Sequence, residues 1–258
     1  MRALRMCVAA IGLSVLLPLS AAWATPTVTY ELKAEPIRGF AHTGDILGAG
    51  ANARLEVMIH GDEYFDSPPP VIGFRFYAPR GSTVHEAGFA ACAEATIVMI
   101  GPNACPRGSQ AGPVGTVLGV VSFGGERVTE SAELLPFIKP GGGLEYFAVG
   151  KSPVALEVMT TGRFSHLGGV EGYGFVEEEQ VPLIATVPEG PLASVETIAG
   201  TFGAAVKAHR KTTYLFRLPQ SCPKGGFRTK AEAIFAEGGD PSRPEVVTAF
   251  YNAPCPDR

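Results

Sequence analysis

The chain has 258 residues and a mass of 27.0 kDa, with 21 Lys and Arg against 25 Asp and Glu. A net charge of −4 leaves no basic surface for nucleic acid, and 46% hydrophobic against 18% charged residues excludes a disordered chain. The 32 Gly and 22 Pro point to a folded, turn-rich protein, of a length that suits one large domain or two ordinary ones.

The chain begins with an address. Arg2 and Arg5 precede an apolar run over 6–19, and Ala22-Trp23-Ala24 places small residues before Thr25-Pro26. This order predicts a secretory signal peptide over 1–24. The run is shorter than the roughly 20 residues of a membrane span, and no later segment reaches that length. Cleavage removes Cys7 and Trp23, leaving Cys92, Cys105, Cys222 and Cys255. The expected product has no membrane span and is secreted, extracellular or associated with the cell envelope.

Period-two alternation follows. It predicts strands over 27–33, 53–60, 71–77, 115–123, 132–138, 144–149, 154–161, 180–187, 194–206, 213–218, 227–236 and 245–251. In the second of these, Leu55, Val57 and Ile59 share one face while Arg54, Glu56 and His60 share the other. One short helix is expected near 92–99. The reading is all-β, an antiparallel β-sandwich with at most short helices.

Three local matches between the halves suggest duplication. Leu55-Glu56-Val57-Met58 recurs as Leu156-Glu157-Val158-Met159, Pro79-Arg80-Gly81 as Pro188-Glu189-Gly190, and Cys105-Pro106-Arg107-Gly108 as Cys222-Pro223-Lys224-Gly225. They predict two tandem immunoglobulin-like or jelly-roll-like sandwiches, 25–138 and 139–258. The alternative is one large sandwich over 25–258.

An even set of four cysteines in an exported chain predicts two disulfides. Gly238-Gly239 lies midway between Cys222 and Cys255, with a predicted strand on each side, so a bridge across the outer ends of a hairpin favours that pair. Cys92–Cys105 then closes a loop around Gly101-Pro102. Neither spacing suits zinc, whose cysteines are usually two to four residues apart.

Chemistry is sparse. No Gly-x-Ser-x-Gly, His-Glu-x-x-His or phosphate-binding loop is present, so no catalytic residue and no cofactor is assigned. Asp62, Glu63 and Asp66 share a loop, where three carboxylates could meet one hard cation; a solvated loop is the simpler reading. Glu177-Glu178-Glu179 form a second acidic run. Successive strand residues point to opposite faces, so the three cannot converge, and they read as charges guarding an exposed edge.

Four segments, Gly101–Ser109, Pro140–Phe147, Val181–Pro188 and Cys222–Phe227, resemble segments of uncharacterised exported proteins of high-GC bacteria. The resemblance implies export and a disulfide-bearing β architecture, and it carries no activity, cofactor or catalytic residue.

The expectation is a secreted non-catalytic β-sandwich protein with an interaction or structural role. Its partner would be an extracellular protein or polysaccharide, although the loss of Trp23 weakens sugar stacking. One alternative is an extracellular hydrolase using two carboxylates about 5 to 9 Å apart. The other is a cation-dependent ligand-binding module built on Asp62, Glu63 and Asp66.

Overall fold

The computed structural model describes residues 25–40, 46–123, 126–153, 155–185, 187, 189–208 and 211–256; the signal peptide expected at 1–24 lies outside them. The strands are β1 (Thr27–Pro36), β2 (Ala51–His60), β3 (Val71–Pro79), β4 (Thr83–Val84), β5 (Gly115–Phe123), β6 (Glu126–Ile138), β7 (Leu144–Ser152), β8 (Leu156–His166), β9 (Tyr173–Gln180), β10 (Ser194–Phe202), β11 (Ala205–Ala208), β12 (Lys211–Tyr214), β13 (Phe216–Arg217), β14 (Phe227–Ala236) and β15 (Pro244–Ala253). One short helix, α1 (Glu94–Ile100), lies between β4 and β5. No helix among the described residues is long and apolar enough to cross a membrane.

Eleven strands form one sheet in the order β1-β2-β10-β5-β6-β7-β8-β9-β3-β14-β15, and every neighbouring pair is antiparallel. The all-β antiparallel expectation holds. The sheet curls into a near-barrel, and the expected sandwich of two facing layers is not confirmed. Its two edges meet where Tyr30 of β1 packs on Tyr251 of β15, with ring centres 5.6 Å apart. The Tyr30 hydroxyl also bonds Thr229 Oγ1 at 2.7 Å, and that hydroxyl donates to the Tyr251 carbonyl at 2.9 Å.

The strand order interleaves the halves. β10 sits between β2 and β5, and β3 sits between β9 and β14. The boundary expected at 138/139 falls in the turn joining β6 to β7, which are laddered together. The tandem units therefore do not appear as separate sheets. One of the matches behind that expectation has a local cause. After Cys105 and after Cys222 the chain makes the same turn, closed by Ser109 N–H to the Pro106 carbonyl and by Gly226 N–H to the Pro223 carbonyl. Gly108 and Gly225 take φ of +85° and +95° at its third position, where glycine is favoured.

Three expected strands changed; 213–218 is broken at Leu215 between β12 and β13, which belong to separate two-stranded sheets. The 180–187 segment lies almost wholly beyond β9, which ends at Gln180 and covers the acidic run instead. Expected strand 194–206 ends at Phe202, and the chain turns through Gly203 before β11.

Alternation sorts the side chains of the main sheet. One end of the interior is packed by Val57, Ile59, Ala233 and Phe235, and the loop carrying the buried Pro68 and Pro70 lies over it. Ser194 Oγ donates to the Pro68 carbonyl at 2.6 Å to hold that loop. At the other end Phe216 of β13 stacks on Phe175 and meets Phe164 edge-on. Outside the sheet, α1 covers the outward Phe137 and Phe147 with Ile97 and Cys92. Two disulfides are present, Cys92–Cys105 and Cys222–Cys255. The first staples α1 to the following turn, and the second joins the open ends of the β14–β15 hairpin.

Candidate functional site

Eleven strands enclose more space than their side chains can fill; about eight already make an interior that side chains fill or that holds one small ligand. The consequence here is a cavity of about 250 Å³. Its wall draws on the inner faces of all eleven strands, including Leu55, Phe74, Val117, Leu134, Val158 and Ile198. Phe76, Val117, Ala148 and Ile198 point inward yet are only half-buried, because they border open space.

Three carboxylates point into this apolar wall. In register, β9 sets Glu177 opposite Phe76 and Phe164, and Glu179 opposite Phe74 and Gly162, so both share the inner face. Glu130 of β6 is a third inward acid, packed over Gly150 and 4% exposed. Gly162 makes room for the first two: a Cβ there would stand 3.1 Å from Glu177 Oε1 and 3.4 Å from Glu179 Cγ.

The Tyr146 hydroxyl of β7 donates to Glu177 Oε1 at 2.6 Å. Among the described residues neither Glu177 nor Glu179 has an ion-pair partner. The Lys and Arg side chains of the main-sheet strands leave from its outer face by alternation. Burial pushes the Glu177 carboxyl up to about 7, against the pull of the Tyr146 hydrogen bond, with Glu86 adding like-charge repulsion. Burial, then the charge of Glu177, holds Glu179 well above the carboxylate range. Tyr146 is likewise raised by burial and by the two acids facing it.

The middle acid goes the other way. Glu178 lies on the outer face, in a row of alternating charge that crosses four strands: Arg163, Glu178, Arg75 and Glu232. Arg163 bonds Glu178 at 2.9 Å, and Arg75 lies 3.5 Å from Glu178 and 3.2 Å from Glu232. Lys230 adds a 2.9 Å bridge to Glu232 and sits 3.8 Å from the Tyr77 ring centre. The edge-guarding reading of the 177–179 run is corrected, because β9 is an inner strand laddered on both sides. Alternation separates 178 from its neighbours, and the face that 177 and 179 share encloses the cavity.

Asp62, Glu63 and Asp66 stand on the loop after β2, where Asp62 and Asp66 are exposed and Glu63 folds back over Gly61. Among the described residues no three His, Cys, Asp or Glu side chains are grouped to hold a metal ion. Glu177 and Glu179 belong to one strand, two residues and so about 7 Å apart. These two stand on one wall, and Glu130 reaches the same cavity from β6.

No family model, curated protein or solved structure matches the chain.

Proposed function

We propose that this is an exported, non-catalytic binding protein that holds one small apolar molecule inside its barrel. The observation that carries the reading is the 250 Å³ cavity, whose wall is apolar apart from a few inward polar groups. A 150 Å³ apolar cavity takes benzene, so this one has room for about ten non-hydrogen atoms. Export is supported by the signal-like residues 1–24 and by two disulfides, which persist in oxidising compartments.

The test is titration with propylbenzene, followed by calorimetry and by NMR shifts of the Ala and Val methyls. Saturable binding is expected, and Ala148→Leu, which fills open space, is expected to weaken it at least about tenfold. Absence of saturable binding, or full binding by a folded Ala148→Leu, overturns the reading. Sequencing the mature protein's first residues tests export, with Thr25 expected at the start.

A further inference from the structure

The binding reading leaves the two unpaired acids of the wall without a purpose. An apolar ligand alone would be better served by apolar residues, since burying carboxyls among Phe74, Phe76 and Phe164 is costly. Their surroundings are also built with care. Gly162 gives up its side chain beneath them, and Tyr146 spends its one hydroxyl donor on Glu177 Oε1. That leaves Glu177 Oε2 and both Glu179 oxygens without a donor among the described residues. Three acceptors match the three N–H donors of a primary ammonium group. Alternation sends the Lys and Arg side chains of the main-sheet strands outward, and although Lys33 and Lys230 border the cavity, none pairs with Glu177 or Glu179 among the described residues.

Resting on the binding reading, we propose that the natural ligand is a small hydrophobic primary amine, its apolar body in the cavity and its ammonium seated against Glu177 and Glu179. An ammonium ion lets the two acids ionise, whereas a carboxylate ligand brings an unpaired negative charge into an apolar cavity and is selected against. A neutral ligand of the same shape gains only the apolar contacts. Tyr30 and Thr229 bond each other at the seam between the sheet edges, so their hydroxyls are engaged there.

The experiment compares three probes of nearly equal size on the whole mature protein at pH 7: phenethylamine, propylbenzene and phenylacetate. Phenethylamine is expected to bind at least about tenfold more tightly than propylbenzene, and phenylacetate more weakly than either. The double variant Glu177→Gln with Glu179→Gln is expected to keep propylbenzene binding and to lose the preference for the amine. Retained propylbenzene binding shows that the variant is folded. If phenethylamine and propylbenzene bind equally, or the preference survives the double variant, the amine assignment falls and the binding reading stands. If none of the three binds, the binding reading falls with it.

Discussion

Glu177 and Glu232 lie two strands apart, on opposite faces of the wall, and they respond to pH with opposite signs. The Glu177 carboxyl titrates near 7 in the folded chain against 4.5 in an open one. The folded state holds its proton more tightly, so stability falls as pH rises from 4.5 towards 7. Glu177→Gln keeps an acceptor for Tyr146 and removes this penalty. Its melting temperature is expected to exceed the parent's at pH 8, by at most about 3 kcal/mol of stability, and to match it at pH 4. For Glu232, burial opposes ionisation, but hydrogen bonds from Lys230 and Arg75 outweigh it and hold the carboxyl below its usual value. Its contribution is present above 4.5 and lost as pH falls through the folded value. Glu232→Gln should cost about 1 to 2 kcal/mol at pH 7, fading in acid, in the same thermal scan. A run of three glutamates revealed its alternation but not its inside, since charge normally marks the solvent face and only an unfilled interior tolerates it.

At the scale of elements, strands were legible wherever inward positions were apolar, as with Leu55, Val57 and Ile59 of β2. β9 carries no clear strand signal because its inward positions include Glu177 and Glu179, which erase the hydrophobic half of the pattern. α1 was legible in place, though its role was not. It is a seven-residue flap laid over Phe137 and Phe147, with Val98, Met99 and Ile100 left exposed at its end. A helix this short is marginal alone, so the Cys92–Cys105 bond should be what keeps it folded down. Replacing both cysteines with serine is expected to lose about 3 kcal/mol. It should also open 93–109 to limited proteolysis while propylbenzene binding persists, because the flap lies on the far face of the sheet from the cavity. Protease resistance equal to the parent's would show that packing alone holds the flap.

For the whole molecule, the strand order could not be read from the chain. Hairpins such as β14–β15 follow from sequence adjacency, but β2 beside β10 and β3 beside β14 are long-range choices, and no residue pattern names its distant partner. The cavity followed from that order and was invisible for the same reason. The order also contains an arithmetic constraint. Neighbours that all run antiparallel alternate in direction, and eleven is odd. β1 and β15 therefore run the same way, so the last gap in the wall cannot be closed by the antiparallel pairing used everywhere else. Among the described residues no ladder joins β1 to β15, and the contacts across the gap include the Tyr30–Tyr251 rings and the Tyr30–Thr229 hydrogen bond. Amides on the facing edges of β1 and β15 should exchange with solvent at least about tenfold faster than those of β6 and β7. Uniform protection around the wall would contradict this. Parting the wall at that line breaks ring contacts and a side-chain hydrogen bond, and parting it anywhere else breaks a ladder. A count of strands has thus given the container its seam.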